Sequence, residues 1–187
     1  MQISLDTCVI RSFQPEDAAS LARYANNRRI WRNLRDSFPH PYSLDDAHQF
    51  IARIKDQALE TVFAIEVDSQ AVGSIGIRLK EDVERVTGEM GYWLGEPFWG
   101  RGLMTDVVRA FTEFALREFS LQRLEAGVYE WNPASARVLE KAGYRLEGTL
   151  RRSMIKDGQV IDRLIYACLA EDRPAGAAYT RSDRLSS

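Results

Sequence analysis

The sequence predicts an α+β fold built on one mixed sheet, mostly antiparallel with a central parallel strand pair, with helices on both faces. Three observations lead to this prediction. Three β-rich runs follow one another between residues 61 and 95 with short turns between them, which is typical of an antiparallel meander. A segment with helical periodicity separates them from the β-rich run at 123–131, and such a crossover joins parallel strands. The stretch 144–169 contains the turn signal Asp157-Gly158, which predicts a hairpin.

The elements before the meander are one short strand and three helical segments. Residues 8–13 form a strand-like run, and Pro15, followed by two acids, opens a helix that runs to about Asn26. Residues 28–34 are predicted to add a short helix. Ser43 followed by Asp46 has the spacing of a helix cap. The apolar stripe of the capped helix comprises Ala47, Phe50, Ile51, Ile54 and Ala58.

The meander and the elements after it can be placed in the same way. The first hairpin is predicted to turn at Ser69-Gln70. Residues 133–143 read as a short helix that Gly143 closes. The helix that follows residues 96–102 has an apolar face made of Leu103, Val107, Phe111, Phe114 and Ala115.

Composition excludes several classes of protein. The 187 residues carry a net charge of −2, so the chain lacks the general basic field of a nucleic-acid-binding protein. No apolar run approaches the roughly 18 residues of a membrane span, and two histidines and two cysteines form no metal-ligand pattern. Cys8 and Cys168 are predicted to be buried free thiols of a cytoplasmic protein. Residues 1–170 are predicted to form one domain, followed by a polar tail at 171–187.

The stretch "EPFWGRGL", residues 96–103, places two glycines directly before a helix. A helix begins with unpaired N–H groups and a partial positive charge, and glycine lets an anion approach them closely. The loop is therefore predicted to bind a phosphate. A dinucleotide-binding fingerprint would need glycine where Thr105 stands, and a nucleotide P-loop would need a Gly-Lys-Ser/Thr ending that is absent here.

The segments "GEMGYWLGEPFWGRGLMTDVV" and "RLEAGVYEWNPASARVLEKAGYRLEG" together resemble the RimJ/RimL-type branch of the GNAT-superfamily N-acetyltransferases. The resemblance extends over about residues 8–169. Its most specific parts are the "YW" strand end, the "WGRGL" loop and "NPASARVLEKAGYRLEG". It implies the GNAT fold, whose element order agrees with the order above, and the transfer of an acetyl group from acetyl-coenzyme A to a primary amine.

The resemblance also implies a coenzyme site. The expected phosphate would be the coenzyme pyrophosphate, held by N–H groups of the glycine loop. Asn132 begins an Asn-x-x-Ser pattern and would bond the pantetheine arm, although helix capping explains it equally well. Arg101 either pairs with a coenzyme phosphate or is a solvated loop charge. Trp99 and Met104 depart from the family pattern, which often has Gln and a small residue there. The implied coenzyme-binding set is Trp93, Leu94, Trp99, Gly100, Arg101, Gly102, Leu103, Met104, Thr105, Asn132 and Ser135.

Catalytic roles follow from the same resemblance. The strand ending at Trp93 and Leu94 is expected to diverge from the strand at 123–131, which would leave an N–H group, assigned to Leu94, for the thioester oxygen. Many relatives carry a Tyr acid at the position of Leu139, so Ser135 is predicted to replace it, unless it is only a hydroxyl at a helix start. Glu89 is predicted to face the cleft as a general base; a salt-bridged strand carboxylate is the alternative.

The acceptor is the least determined part of the prediction. The loop after the first helices offers Asn33, Asp36, Phe38 and Tyr42 as substrate-binding residues. The branch includes enzymes that acetylate protein N-termini, among them ribosomal proteins, and others that modify small amines. No nucleic acid, membrane or metal is expected as a partner, and a homodimer remains open. The alternative function is a catalytically silent acyl-coenzyme A-binding regulatory module.

Overall fold

The main chain forms eight strands and five helices over residues 1–172, which are the residues that this computed structural model describes. The strands are β1 (Gln2–Ser4), β2 (Val9–Arg11), β3 (Val62–Val67), β4 (Gln70–Leu79), β5 (Thr87–Leu94), β6 (Arg123–Tyr129), β7 (Arg145–Lys156) and β8 (Gln159–Leu169). The helices are α1 (Ala18–Ala25), α2 (Arg28–Trp31), α3 (Leu44–Lys55), α4 (Leu103–Glu118) and α5 (Pro133–Lys141).

All eight strands belong to one sheet, in the order β1-β2-β3-β4-β5-β6-β8-β7. Every neighbouring pair is antiparallel except β5 and β6, which are parallel and are joined by the crossover helix α4. This confirms the predicted mixed sheet with one parallel pair at its centre. The parallel pairing is short: it runs from Thr87 opposite Arg123 to Glu89 opposite Glu125. Beyond Glu89 the two strands separate, although β5 continues to Leu94.

Alternation along the strands divides the core between the two faces of the sheet. Phe63 packs in a cluster with Val107 and Phe111 of α4, whereas the next residue, Ala64, packs with Leu21 of α1 and Ile51 of α3. Successive strand residues point to opposite faces, so helices cover both faces as predicted. The mixed sheet therefore has α1 and α3 on one side and α4 and α5 on the other.

Turns and caps follow the local sequence closely, with one shift. Ser43 accepts a hydrogen bond from the Asp46 N–H, and the Asp46 carboxylate accepts one from the Ser43 N–H, which is the predicted cap of α3. The first hairpin turns at Asp68 and Ser69, which have φ of 49° and 59°, and not at Ser69-Gln70. The prediction was wrong by one residue because Gln70 already pairs with Val67 in the ladder. Both turn residues are of types that tolerate the left-handed region.

Three other boundaries differ from the prediction. Residues 2–4 form a strand that was not predicted, because three residues are too few for a periodic pattern to show. Ala58 lies beyond the end of α3, so it does not belong to the apolar stripe of that helix. Glu171 and Asp172 were assigned to the tail but lie in a short 3-10 turn, where Asp172 pairs with Arg145 at 3.4 Å. The rest of the predicted tail, 173–187, lies outside the described residues, and the division into domain and tail stays a prediction.

Two negative findings apply to residues 1–172. None of the described helices is long and apolar enough to cross a membrane. The described part of the chain contains no group of three or more His, Cys, Asp and Glu side chains that could hold a metal ion. Cys8 and Cys168 are both buried free thiols.

Candidate active site

A cleft of about 1000 Å³ lies where β5 and β6 diverge. Residues from both faces of the sheet line it. On the α1 and α3 side these include Asn33, Phe38 and Tyr42, and on the α4 and α5 side they include Gly100, Gly102, Leu103, Met104, Thr105, Asn132 and Ser135. The cleft therefore passes through the gap in the sheet and joins the predicted acceptor residues to the predicted coenzyme loop.

The hydrogen-bond parity of β5 decides which backbone groups face this gap. The Gly95 N–H donates to the Val72 carbonyl at 2.7 Å, and the Lys80 N–H donates to the Thr87 carbonyl at 3.1 Å. In an antiparallel ladder, bonded residues alternate, so the odd-numbered residues of β5 pair with β4. The Trp93 N–H therefore points to β4, and the Leu94 N–H points into the cleft. Leu94, the predicted donor, therefore has the required direction, and Trp93 does not.

The Leu94 carbonyl is held by the loop that follows β5. It accepts a hydrogen bond from the Trp99 Nε1 at 2.7 Å, and the guanidinium of Arg29 lies 5.2 Å from the centre of the Trp99 ring. Trp99 replaces the Gln common in the family, and its indole gives it a definite role: it fastens the glycine loop to the end of β5.

The glycine loop has the backbone conformation that the opening of α4 requires. Gly100 and Gly102 have φ of 75° and 81°, a region that disfavours side chains, and a Cβ at either position would meet open space. The first intrahelical bond of α4 is donated by Thr105 to the Gly102 carbonyl, at 2.9 Å. Within residues 1–172, the N–H groups of Gly102, Leu103 and Met104 have no acceptor. Three such donors in succession at a helix N-terminus are the arrangement that favours an anion.

Arg101 stands apart from this site. Its guanidinium lies 5.7 Å from the centre of the Phe98 ring, and it is not among the residues that line the cleft. This arrangement favours the alternative that Arg101 is a loop charge on the protein surface.

Asn132 and Ser135 meet at the start of α5. The Asn132 side chain caps the helix by accepting a hydrogen bond from the Ser135 N–H at 3.3 Å. The Ser135 Oγ lies 2.8 Å from the hydroxyl of Tyr92. Burial raises the pKa of Tyr92 to about 12, and the hydrogen bond with Ser135 only partly offsets this shift. Tyr92 therefore keeps its proton near neutral pH and is able to donate it to the Ser135 Oγ.

Glu89 is the centre of an ionic cluster. Its Oε1 accepts hydrogen bonds from Arg35 at 2.7 Å and from Arg163 at 2.6 Å, and its Oε2 accepts one from Arg78. Burial acts to raise the pKa of Glu89, but the three guanidinium groups together hold it below its ordinary value. Glu89 does line the cleft. Its partners favour the alternative that it is a salt-bridged strand carboxylate.

The reach of Arg163 to Glu89 depends on a glycine. Arg163 lies on β8, and β6 separates β8 from β5. A Cβ on Gly127 of β6 would lie 2.0 Å from the Arg163 Nε. The guanidinium therefore passes directly over Gly127, and the absence of a side chain there lets it cross β6.

Three of the four predicted acceptor residues line the cleft. Asn33 accepts a hydrogen bond from the Trp131 Nε1 at 3.1 Å, and Phe38 packs against Tyr42 with ring centres 4.9 Å apart. Asp36 is not in the lining, because its carboxylate pairs with the Lys156 Nζ at 2.7 Å. Lys156 is buried, and its Nζ lies 3.7 Å from the centre of the Trp31 ring.

Sequence reasoning missed Tyr92 and the three arginines around Glu89. Strand alternation puts Tyr92 on the opposite face of β5 from Glu89, and α5 brings Ser135 to that face. The arginines come from the loop after α2, from β4 and from β8, which no local pattern connects. The only usable signal was that Arg78 lies directly opposite Glu89 in the predicted meander. Leu139, which stands where many relatives have Tyr, is fully buried.

The chain is similar to known proteins in sequence and in structure. Residues 8–145 match the family described as the Acetyltransferase (GNAT) domain. The SPbeta prophage-derived uncharacterized N-acetyltransferase YokL of Bacillus subtilis (strain 168) is 27% identical over 169 residues, covering 89% of this chain and 92% of that protein. The ribosomal protein uS5-alanine N-acetyltransferase of Escherichia coli (strain K12) is 26% identical over 184 residues, covering 94% of each. A structure of RimL, the ribosomal L7/L12 alpha-N-protein acetyltransferase, in complex with coenzyme A has a TM-score of 0.81 at 19% identity and covers 92% of this chain and 100% of that one.

The divergent parallel pair and the anion-binding start of α4 define an acyltransferase cleft that takes an acyl-coenzyme A. The chain belongs to the GNAT family of acetyltransferases. It is an acetyl-coenzyme A-dependent N-acetyltransferase, and it is similar to RimJ/RimL-type enzymes, as its motifs indicated. The residues present fit the coenzyme, because three successive N–H donors and the Leu94 N–H face the cleft without an acceptor among residues 1–172.

Proposed function

We propose that this N-acetyltransferase acetylates the N-terminal α-amine of a protein, with ribosomal proteins as the first candidates. The E. coli relative named for ribosomal protein uS5 aligns over 94% of this chain, which supports the choice of acceptor. The observation that carries the proposal is the cleft that passes through the sheet, with Phe38 and Tyr42 at one side and the glycine loop at the other. An extended peptide end has access to the reaction centre from the side opposite the coenzyme. We place the reaction in the cytoplasm.

The coenzyme would be held by backbone groups. The N–H groups of Gly102, Leu103 and Met104 would bind the pyrophosphate, with the dipole of the 16-residue helix α4 adding to the attraction. Trp93 and Trp99 would flank the pantetheine arm beside Leu94, and Asn132 would bind it through whichever side-chain atoms its cap leaves available. The bound coenzyme supplies an activated acetyl thioester.

The Leu94 N–H would stabilise the negative charge that develops on the thioester oxygen during attack by the amine. The group is fixed by the β4–β5 ladder on both sides of it, so it needs no reorganisation as the charge appears. A donor of this kind stabilises the transition state more than the ground state.

As the C–S bond breaks, Ser135 would give its proton to the departing sulfur and take one from Tyr92 through the 2.8 Å contact. The attacking amine releases a proton to solvent, and solvent returns one to the Tyr92 phenolate, so the step balances. A thiol has a pKa near 8.5, so the departing thiolate needs only modest help. The raised pKa of Tyr92, about 12, keeps the phenol protonated between turnovers. This pair supplies the proton donor that the Leu at position 139 cannot supply.

Glu89 was predicted to be the general base, and this role stays a hypothesis. Its lowered pKa makes it a weak base. An α-amine has a pKa near 8 and is partly neutral at physiological pH without assistance. The ionic contacts favour a different role, in which Glu89 holds Arg35, Arg78 and Arg163 in position.

An acceptor screen tests the proposed function. Acetyl-coenzyme A is mixed with peptides that begin with Ser or Ala, with the same peptides carrying a blocked N-terminus, and with spermidine and free lysine; thiol release and product mass are measured. Acetylation of free but not blocked peptides supports the proposal. Turnover of the small amines alone would overturn it in favour of a small-molecule acceptor. Tight coenzyme binding without turnover of any acceptor would support the silent acyl-coenzyme A-binding module instead.

A further inference from the structure

The charged side chains that line the cleft are of one sign with one exception. Among the described residues, the lining contains a single carboxylate, Glu89. The basic lining residues are Arg29, Arg32, Arg35, Arg78, Arg137, Lys141 and Arg163. The whole chain has a net charge of −2, so this concentration of positive charge is local to the cleft. A local field of this kind selects the charge of the molecules that enter.

About half of this excess lies in one group on the acceptor side. Arg35, Arg78 and Arg163 share the one negative charge of Glu89. Arg32 stacks over Trp131 at 4.8 Å and has no ion pair among residues 1–172. The group therefore keeps a net charge of about +3 after Glu89 is counted.

Nearby carboxylates do not neutralise the excess. Glu96 pairs with Arg29, and Asp36 pairs with the buried Lys156. Each of these acids is thus matched with a cation outside the Glu89 group.

The three arginines also keep unused hydrogen-bond donors. Each donates to Glu89 through one terminal nitrogen, and no other acceptor for their side chains lies within the described residues. A guanidinium has five N–H donors in a planar fork, which matches a carboxylate or a phosphate. The side chains of Arg35 and Arg78 are 63% and 62% exposed, so these donors are open to a ligand. Glu89 accordingly presents the guanidinium groups to the cleft.

We propose that the acceptor carries an anionic group, a carboxylate or a phosphate, next to its reactive amine, and that Arg35, Arg78 and Arg163 bind this group with Arg32 beside them. The inference rests on the proposed N-terminal acetylation and specifies an N-terminus with an acidic or phosphorylated residue beside the amine. The anionic group offsets the repulsion that this side of the cleft exerts on a protonated amine. The same positive field lowers the pKa of the bound amine and so increases its neutral, nucleophilic form. Polycationic amines are excluded as good acceptors.

Matched peptides test the proposal directly. Four C-terminally amidated pentapeptides differ only at position two, which is Asp, Asn, phosphoserine or Ser, and all begin with Ser. We expect the Asp peptide to exceed the Asn peptide in kcat/KM by about 10-fold or more, which is the contribution of one charge-assisted hydrogen bond. The ratio of kcat/KM between the phosphoserine and Ser peptides shows whether the arginines prefer a phosphate to a carboxylate. The ratio should fall as salt is raised from about 50 mM to about 0.5 M.

Variants assign the effect to the arginines. R35Q and R78Q should reduce the Asp-to-Asn ratio toward 1. R117Q is the matched control, because Arg117 is an exposed arginine in the last turn of α4 and does not line the cleft. It should keep the full ratio. Folding of every variant is checked by its thermal transition and by its affinity for coenzyme A.

The outcomes separate this inference from the function on which it rests. Equal rates within both pairs, Asp against Asn and phosphoserine against Ser, would overturn the anionic acceptor and leave N-terminal acetylation intact. Faster turnover of a peptide with Lys at position two would overturn it more strongly. A ratio that survives in both R35Q and R78Q would remove these arginines from the recognition. If no peptide is acetylated while spermidine is, the proposed function and this inference both fail.

Discussion

The Tyr92 hydroxyl lies 2.8 Å from the Ser135 Oγ, and this contact joins the end of β5 to the start of α5 across the cleft. It places two hydroxyl groups in series, with the more acidic proton of the two on the phenol. Burial raises the pKa of Tyr92 to about 12, so the pair stays fully protonated over the range in which the enzyme would work. A relay of this form offers a proton at Ser135 without a charged acid in the site.

Removing the phenol proton tests the relay. We expect Tyr92→Phe to lower kcat by about 10-fold, at the lower end of the range for general acid–base catalysis, and to leave the affinity for coenzyme A unchanged. Tyr166→Phe is the matched control, because the Tyr166 hydroxyl bonds Glu140 outside the cleft. The double variant Tyr92→Phe with Ser135→Ala should be no slower than Ser135→Ala alone. Additive losses would show that the two hydroxyls act independently.

The glycine loop is tested by a substitution that adds a single methyl group. Gly102→Ala places a Cβ in open space at a φ of 81°, and this left-handed conformation costs about 1–2 kcal/mol for a side chain. We expect it to weaken coenzyme A binding by at least about 10-fold, because strain shifts the N–H donors of the loop. Calorimetry with coenzyme A gives the affinity.

Gly158→Ala separates strain from binding. Gly158 has a φ of 74° in the β7–β8 turn, also with open space around its Cβ, and it does not line the cleft. The two variants should lose similar thermal stability, but only Gly102→Ala should lose affinity. Unchanged affinity in Gly102→Ala would remove the loop from coenzyme binding.

Glu89→Gln distinguishes a base from an anchor. As an anchor, Glu89 positions three arginines, and its loss should lower kcat/KM by about 10-fold or more, by the same factor near pH 7 and near pH 9. A general base would instead show a loss that shrinks at high pH, where the amine is already neutral. A pH profile of kcat/KM for the wild type and the variant makes the comparison.

The stability of Glu89→Gln has its own pH dependence. The pKa of Glu89 is lower in the folded protein than its ordinary value of 4.5. The ionised form is thus favoured by folding, and the stability that it contributes is present above about pH 4.5 and is lost as the pH falls further. Denaturant unfolding at a series of pH values should show the wild type and the variant converging in acid. A constant difference across that range would mean that the carboxylate charge does not stabilise the fold.

Gly127→Ala tests the path of Arg163. The new methyl group would occupy the position of the guanidinium, 2.0 Å from the Arg163 Nε, so the flexible side chain must leave. We expect little change in thermal stability but a reduced preference for acidic over neutral peptides. In an Arg163→Gln background, Gly127→Ala should have no further effect on this preference, because its only target is gone. An additional loss there would show that the methyl group disturbs the cleft by another route.

The sequence was sufficient for most of the fold because the relevant signals are local. Ser43 and Asp46 cap α3, Asp157 and Gly158 form the predicted turn, and the glycines before α4 take the positive φ values that glycine permits. The helical segment between the β-rich runs predicted the central parallel pair, and the GNAT resemblance agreed with it. Local signals do not distinguish the observed turn at Asp68-Ser69 from the predicted one at Ser69-Gln70, because Asp, Ser and Gln are all acceptable near a turn.

The site was less predictable because its contacts are distant in sequence. Arg35, Arg78 and Arg163 converge on Glu89 only after three separate elements have packed. Asp36 was a reasonable acceptor residue by its position in the loop, but Lys156, 120 residues later, takes its carboxylate. Leu94 was identified from the resemblance, and its direction follows from the ladder parity that the register of β4 and β5 sets.

Two ion pairs join the α2 region to the β7–β8 turn, next to the acceptor side of the cleft. Lys156 bonds Asp36 and Arg28 bonds Asp157, both at 2.7 Å, while the β5–β6 pairs close the opposite end. The lining of the cleft comes from both faces of the sheet. We therefore expect the coenzyme to enter beside α4 and the acceptor to enter beside α2. With separate entrances neither substrate would block the other, so we expect no fixed order of binding or release.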